Sequence, residues 1–303
     1  MRRISLALIS VALLGLVVVG TVRTRAASNP RNDFHFVIVG DRGGTPAAQV
    51  YGRAWREVSM LAPDFAINVG DSITGGPGKD NAAESMWAGL RPLLRRYSAF
   101  PFYFTPGNHD IWSDLSKKLY ERETGRPPFY SFNFQDAHFT VLDTSRTDVL
   151  GEDQIKFLEN DLRKNRNRDP KFIFFHKPYW IALLKLQSGD FPLHKLARQY
   201  GVDYVVSGHG HRYLRMERDG IVYTEIGSSG AVMGKAALAK DAFQNGKFFH
   251  FAWVRVKGDA VSITIKELEP PSGSGRMFRA EEWNDQGPRF DPADPGLNDK
   301  PET

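Results

Sequence analysis

The sequence predicts an α/β fold, with a sheet-centred core that ends in a series of antiparallel strands. Through much of the chain, short apolar runs alternate with segments of helical spacing, a pattern typical of strands separated by helices. Five of these apolar runs end directly before a loop of polar residues. Toward the carboxyl end, several strand-like runs follow one another without helices, which favours antiparallel pairing.

Each predicted element has its own pattern. Strands are predicted at 34–39, 64–69, 102–105, 171–175 and 204–206, and helices at 47–61, 84–94, 115–123, 151–164 and 193–200. Alternation of apolar and polar residues at 129–134 and 138–142 predicts a hairpin over 135–137. Further antiparallel strands are predicted at 213–216, 221–226, 248–256 and 261–265. Residues 33–269 show no repeat and no sharp boundary, so they are predicted to form one domain.

Both ends of the chain are predicted to lie outside this domain. A basic start and an apolar run at Ile4–Val22 predict a targeting segment over residues 1–27. The run lies between the roughly 7–15 apolar residues of a signal peptide and the roughly 20 of a bilayer span. A cleaved signal peptide and an uncleaved membrane anchor both remain open, and either predicts an exported protein, periplasmic or extracellular. From residue 270 onward polar residues, Gly and Pro dominate, which predicts a disordered tail over 270–303.

Charge and composition exclude several classes of function. The formal net charge is +5, and the five arginines of residues 1–32 account for all of it. The remaining chain is neutral overall, so no nucleic-acid or membrane-surface role is expected for it. The absence of Cys excludes disulfides, thiolate metal sites and Cys nucleophiles.

The five polar loops carry the chemistry. They are Gly40-Asp41, Gly70-Asp71, Gly107-Asn108-His109-Asp110, His176 and Gly208-His209-Gly210-His211. Functional loops of α/β sheets gather at the carboxyl ends of the strands, so all five could converge on one site. Oxygen and imidazole ligands without thiolates suit ions such as Mn, Fe and Zn. Two ions about 3.5–4 Å apart, bridged by a shared carboxylate, form a clamp for phosphoryl displacement.

The ordered series of loops closely resembles that of the calcineurin-like metallophosphoesterases, across residues 34–226. The stretches 175–179 and 209–213 are similar to those of the purple acid phosphatase branch. The resemblance implies a four-layer α/β/β/α sandwich of two mixed sheets over 33–269. It also implies two metal ions and hydrolysis of a phosphomonoester or phosphodiester by a metal-bridging hydroxide.

The same resemblance implies a role for each loop residue. Asp71 would bridge both ions, while Asp41 and His211 would complete the first site. Asn108, His176 and His209 would hold the second ion. His109 would contact the phosphate and protonate the leaving oxygen, with Asp110 orienting its ring.

Two positions depart from the family pattern. Most members carry a His at the position of Gly43, and the purple acid phosphatase branch carries a ligand Tyr at the position of Thr74. The first site is therefore one protein ligand short, and no tyrosinate colour is expected. A water, a nearby side chain or nothing could take the place of that ligand.

Each residue also has a purely structural interpretation. Alone, Asp41 or Asp71 would be a turn former or a helix cap, and Asn108 a turn residue. The histidines that fit no ligand position are expected to be structural: His35, His138, His194 and His250. The side chains of Arg42, Arg212 and Tyr179 stand beside the loops, where contact with substrate and a role at the solvated rim are both open.

The sequence thus predicts a dinuclear, metal-dependent phosphoesterase acting on a small phosphorylated substrate. The alternative is a degenerate member of the same fold that acts as a binding or scaffolding module, and the depleted first site motivates it.

Overall fold

A computed structural model describes residues 32–292 except 45, 48, 98 and 269–274. The predicted signal peptide or anchor at 1–27 lies outside the described residues. Within them, no helix is both long enough and apolar enough to cross a membrane.

Strands outnumber helices in the described part of the chain. The strands are β1 (Asp33–Val39), β2 (Phe65–Asn68), β3 (Phe102–Tyr103), β4 (Tyr130–Phe134), β5 (Ala137–Val141), β6 (Lys171–Phe174), β7 (Tyr204–Ser207), β8 (Tyr213–Arg218), β9 (Ile221–Ile226), β10 (His250–Lys257), β11 (Ala260–Glu267), β12 (Met277–Arg279), β13 (Trp283–Asn284) and β14 (Gly287–Pro288). The helices are α1 (Val50–Leu61), α2 (Asp80–Tyr97), α3 (Asp114–Thr124), α4 (Glu152–Lys164), α5 (Trp180–Lys185) and α6 (Pro192–Tyr200). Short 3₁₀ helices lie at Gly234–Leu238 and Ala280–Glu282.

Two six-stranded mixed sheets form the centre of the molecule. The first has the order β12-β11-β10-β1-β2-β3, and the second has the order β4-β5-β6-β7-β9-β8. The strands β1, β2 and β3 are parallel, and β10 pairs with β1 in the antiparallel direction. In the second sheet β5, β6, β7 and β9 are parallel, whereas β4 and β8 are antiparallel edges.

Side-chain alternation along β1 shows why the sheets stack in layers. Phe34 and Phe36 point into a core between the two sheets, and Val37 and Val39 point to the opposite face. Successive strand residues face opposite sides of a sheet, so both faces of β1 are buried. The core between the sheets joins aromatic residues from both of them, among them Phe65, Phe139 and Phe172.

Helices cover the outer face of each sheet. Trp55 of α1, Trp87 of α2 and Tyr120 of α3 pack on the first sheet. Leu158 of α4 and Leu193 of α6 belong to the equivalent cluster on the second. The layers therefore run helix, sheet, sheet, helix. This confirms the predicted α/β/β/α sandwich.

The predicted elements are present, with shifted boundaries. Helix α2 extends beyond the predicted 84–94, and β3 is shorter than the predicted 102–105. Helix α5 was not predicted, because six residues give too short a stretch for helical spacing to stand out.

The predicted disordered tail is wrong for residues 275–292. Strand β12 pairs with β11, and Phe278 and Trp283 are buried in the core between the sheets. The few apolar residues of this segment are spaced too widely to form a periodic pattern, yet they fill space at the edge of the core. The rest of the predicted tail, 270–274 and 293–303, lies outside the described residues.

Candidate metal centre

The five polar loops meet where the carboxyl ends of the parallel strands of both sheets lie side by side. Asp41 follows β1 and Asp71 follows β2, whereas His176 and His209 follow β6 and β7. The His209 N–H donates to Asp41 Oδ2 at 2.8 Å and so joins the two sheets. The His109 N–H donates to Asp71 Oδ1 at 2.9 Å.

One cluster of ligand atoms consists of Asp41, Asp71 and His211, which we call the first donor group. These atoms lie within 4.8 Å of one another. His211 Nε2 is 3.4 Å from Asp41 Oδ2. The Nδ1–H of His211 donates to the carbonyl of Val232 at 2.8 Å, so the Nε2 atom is the one turned toward the carboxylates.

A second cluster consists of Asp71, His176 and His209, also within 4.8 Å of one another, and we call it the second donor group. His176 Nε2 lies 3.2 Å from Asp71 Oδ2 and 3.2 Å from His209 Nδ1. Asn108 Oδ1 lies 3.1 Å from the same Nε2 atom. The Nδ1–H of His176 donates to Val69 O at 2.8 Å, which fixes the ring with Nε2 inward. Asp71 belongs to both donor groups.

Glycines allow the loops to approach the carboxylates closely. A Cβ on Gly107 would lie 2.2 Å from Asp71 Oδ1, and a Cβ on Gly208 would lie 2.3 Å from Asp41 Oδ1. Any side chain at either position would push a carboxylate out of its donor group. The need for Gly at these two positions is therefore steric.

Within the two donor groups, two buried carboxylate oxygens lack a hydrogen-bond partner, namely Asp41 Oδ1 and Asp71 Oδ2. A buried anionic oxygen is costly unless a donor or a cation faces it. Carboxylate, imidazole and amide ligands without thiolates suit Mn, Fe or Zn. The donor groups therefore fit divalent metal ions.

Charge coupling within the second donor group is strong. Burial acts to raise the pKa of Asp71, but the positive charge of His176 and bonding to His109 together lower it to about 2. Burial acts to lower the pKa of His176, but Asp71 and Asp41 raise it to about 10. For Asp41, burial dominates and raises the pKa well above its ordinary value. Without an ion, Asp71 is therefore ionised at neutral pH and its charge is balanced by that of His176. A metal ion in this group would displace the proton of His176, because a histidine ligand is neutral.

Residues 32–213 match the calcineurin-like phosphoesterase family model. The chain belongs to this family. Human tartrate-resistant acid phosphatase type 5 is 25% identical over 294 residues, which cover 78% of this chain and 88% of the human protein. Membership of the family indicates metal-dependent hydrolysis of phosphoesters.

Two solved structures show the shared fold. Purple acid phosphatase PPD1 from Lupinus luteus superposes with a TM-score of 0.59 at 15% identity over 82% of this chain. The aligned part is 53% of the lupin protein, so this chain spans about half of that length. A dimetal phosphatase from Danio rerio gives a TM-score of 0.56 at 12% identity, covering 83% of this chain and 99% of the fish protein.

The expected role of Asp110 in orienting His109 is wrong for this chain. Asp110 Oδ1 accepts the N–H groups of Ser72 and Ile73 at 2.8 and 3.1 Å, and Oδ2 accepts that of Gly107 at 2.9 Å. Asp110 thus ties the loop after β2 to the loop after β3. The ring of His109 is held by a different group, since its Nδ1–H donates to the carbonyl of Gly75 at 2.6 Å.

The structure explains the first departure from the family pattern. A Cβ on Gly43 would lie 1.8 Å from the carbonyl oxygen of Ile73, so no side chain fits at this position. The Gly43 N–H donates to Asp71 O, which packs the two loops together. At Thr74, the backbone carbonyl accepts from the Lys79 ammonium at 3.0 Å. Among the described residues, the His and Asp side chains of the first donor group are therefore two aspartates and one histidine.

The three side chains proposed for substrate contact have other partners. Arg42 donates to Ser72 O at 2.9 Å and lies over the ring of Tyr51. Tyr179 packs against Phe175. Arg212 Nε donates to Glu225 at 3.0 Å. Substrate contact by these three residues stays a prediction.

The four remaining histidines lie outside both donor groups. His35 stacks on Trp253, and His250 donates to the carbonyl of Phe248. His138 and His194 are buried and hydrogen-bonded. The partners of His138 are Asn133, Thr140 and Asp161, and those of His194 are Tyr223 and Asp219.

His194 also forms a possible ligand cluster with Asp190 and Asp219. Arg198 already pairs with both carboxylates, at 2.7 Å from Asp190 and 3.6 Å from Asp219. The acidic groups of this cluster are therefore balanced by a cationic side chain, as in a structural ion-pair network.

Sequence reasoning missed Glu225. It lies in a strand, outside the polar loops, and no spacing rule connects it to them. A charged residue in an otherwise apolar strand, Ile221–Ile226, was the available signal.

Proposed function

We propose that the protein is a dinuclear metal-dependent phosphoesterase, with one ion in each donor group. The sharing of Asp71 between the two groups carries this proposal. A carboxylate whose oxygens face both groups is suited to bridge two cations. Asp41 and Asp71 each have a buried oxygen without a partner, and a cation facing these oxygens would offset the cost of their burial.

The donor residues would have distinct tasks. Asp41 and His211 would hold the first ion, and Asn108, His176 and His209 the second. When bound, the ions supply a hydroxide nucleophile at neutral pH and positive charge that stabilises the phosphoryl group in the transition state.

His109 would act on the substrate. Its Nε2 lies 4.0 Å from Asp71 Oδ2, and its side chain is 29% exposed. With Nδ1–H bonded to Gly75 O, the Nε2 atom is the one free to donate a proton to the leaving oxygen. We therefore assign general-acid catalysis to His109, and a supporting role in holding the loops to Asp110.

The substrate class we propose is a small phosphorylated molecule, either a monoester or a diester. Arg42, Arg212 and Tyr179 remain candidates for contacts at the edge of the site.

Metal quantification combined with hydrolysis assays tests the proposal. The purified protein, reconstituted with Mn, Fe or Zn, should hold two ions and hydrolyse an aryl phosphate monoester or diester. The His109→Ala variant should lose turnover and retain both ions, because the ring belongs to neither donor group. Loss of metal in this variant would contradict the role given to His109.

One observation favours a second candidate, a binding or scaffolding module on the same fold. Gly43 faces closed backbone, so the first donor group gains no ligand from that position. One ion or fewer per chain, with no hydrolysis under any metal, would support this candidate and overturn the first.

We also propose that the protein is exported, on the basis of its basic and apolar amino terminus. Cell fractionation and amino-terminal sequencing of the native protein would distinguish a cleaved signal peptide from an anchor. Recovery of the uncleaved chain from the cytosol would contradict export.

A further inference from the structure

The loop Gly208–Arg212 contributes one ligand to each donor group and does so in a strained conformation. His209 belongs to the second group and His211 to the first. Their φ angles are +75° and +49°, in the left-handed region that non-glycine residues rarely adopt. Such conformations persist only where the surrounding structure holds them in place.

A buried carboxylate lies directly against the middle of this loop. Glu225, on β9, is 0% exposed. A Cβ on Gly210 would lie 2.1 Å from Glu225 Oε1, so the carboxylate packs on the backbone between the two ligand histidines. The other oxygen, Oε2, accepts from Arg212 Nε at 3.0 Å.

A lysine holds the same segment through its carbonyl groups. Lys247 Nζ donates to Gly210 O at 2.8 Å and to His211 O at 3.3 Å. The Gly227 N–H donates to Arg212 O at 2.8 Å, which anchors the end of the loop to the residue after β9. Gly210 therefore lies between an anionic side chain and a cationic one.

We propose that Glu225 is a positioning residue for both donor groups. With Arg212 and Lys247 it fixes the loop so that His209 and His211 present their ring nitrogens to the two groups at once. The inference rests on the proposed metal-dependent function, which does not itself depend on Glu225 or Lys247. It also gives Arg212 a role in holding the loop, through its bond to Glu225.

The chain contains a second buried Glu–Arg pair, which serves as a control for the general effect of disrupting such a pair on folding. Glu267 is 3% exposed and accepts from Arg276 Nη1 at 2.9 Å, as a buried Glu–Arg pair between β11 and the segment before β12. Strand β10 separates β11 from β1, and the side chain of Glu267 bonds to Arg276 and not to the loop Gly208–Arg212. Glu267→Gln should disturb folding much as Glu225→Gln does, without touching the ligand loop.

The experiment compares the full chain with its Glu225→Gln and Glu267→Gln variants. Zn²⁺ and Mn²⁺ affinities are measured by competition with a fluorescent chelator, and folding by thermal melting. Glu225→Gln should weaken the binding of both ions by about 10–100-fold, the usual effect of removing a group that orients metal ligands. Glu267→Gln should leave both affinities unchanged.

Each outcome decides a separate point. If Glu225→Gln binds both ions as tightly as the original protein does, Glu225 is not a positioning residue. Equal losses in both variants would also overturn the inference, because the effect would then be one of general stability. If Glu225→Gln fails to fold, Lys247→Met provides the same test, and unchanged affinity in that variant would overturn the inference. Failure of the original protein to bind any metal would instead overturn the proposed function.

Discussion

The imidazole of His109 is held by the backbone carbonyl of Gly75, 2.6 Å from Nδ1, and Asp110 bonds elsewhere. A Cβ on Gly75 would lie 1.8 Å from the ring of Trp112 and 2.4 Å from His109 O. The loop after β2 therefore reaches over the loop after β3 and fixes the orientation of the His109 ring through main-chain contacts.

Gly75→Ala should lower turnover by a large factor, because the added methyl group displaces the carbonyl that orients His109. We expect an effect of about 100-fold, as for a misplaced catalytic group. Steady-state kinetics on an aryl phosphate measures it. Gly89→Ala is the control, since Gly89 lies in α2 with open space around its Cβ position. That substitution should leave turnover unchanged and stabilise the fold by about 0.5–1 kcal/mol.

Asp110→Ala should destabilise the protein. Its carboxylate accepts three backbone N–H groups, from Ser72, Ile73 and Gly107. Each buried donor that loses its partner costs about 1–3 kcal/mol. Urea denaturation should therefore show a loss of at least about 2 kcal/mol. Unaltered stability, together with a changed pH profile of turnover, would instead favour a direct role for Asp110 in acid catalysis.

Asp71→Asn should remove both ions, whereas His211→Ala should weaken only the first. Asp71 belongs to both donor groups, but His211 belongs to one. Metal content after gel filtration measures the difference. His35→Ala is the control and should retain both ions, because His35 stacks on Trp253 near the start of β1. Equal metal loss in the Asp71 and His211 variants would contradict the separate assignment of the two groups.

His250 should make the fold sensitive to acid. Its side chain is buried, its Nδ1–H donates to Phe248 O, and burial lowers its pKa from 6.5 to about 4. Between those values the unfolded chain takes up a proton that the folded protein does not, so stability is complete above pH 6.5 and falls toward pH 4. Protonation of His250 alone should lower the free energy of unfolding by about 3 kcal/mol between pH 6.5 and about pH 4.

Substitution of His250 by Asn tests this dependence. Asn retains a donor for Phe248 O and does not titrate, so the variant should lose less stability between pH 7 and pH 4 than the original protein does. Thermal melting across this range measures the difference. Parallel pH profiles for the two proteins would show that His250 does not contribute.

Trp283→Ala should lower the free energy of unfolding by about 3–5 kcal/mol, as for other large residues removed from a core. Trp283 is buried against Tyr213, Phe243 and Phe278. Met277→Ala is the control, because Met277 is 43% exposed and surface substitutions cost less than about 0.5 kcal/mol. Equal effects of the two substitutions would show that residues 275–292 do not contribute to the core.

The order of the elements and the positions of the ligand loops could be predicted from sequence, because both are indicated by patterns among residues that are close together in the chain. Apolar runs that end at Gly-Asp or Gly-Asn-His mark strand ends with ligand loops, whatever the strands pair with. The sandwich and both donor groups agree with that prediction. Helix α5 and the segment 275–292 could not be predicted, because their residues are buried by contacts with distant parts of the chain and lack a period of their own.

The roles of particular atoms also depended on long-range contacts. Asp110 was expected to orient the ring of its sequence neighbour, His109. Its carboxylate instead accepts backbone N–H groups from the loop after β2. The closure of Gly43 against Ile73 follows from the pairing of two loops, which local sequence does not encode. Glu225 packs on a ligand loop across the β7–β9 pair, and its charge within a strand did not indicate which loop it would contact.

By itself, the sequence determined which chemistry is possible: carboxylates, imidazoles and an amide on five loops, in a fixed order, with no thiolate. Tertiary structure decided which atoms meet. The N–H of His209 reaches Asp41 only because the two sheets stack with their carboxyl ends together. The partners of His109, Asp110 and Glu225 follow from the same stacking, since a side chain in a close-packed site bonds to the group the fold brings to it.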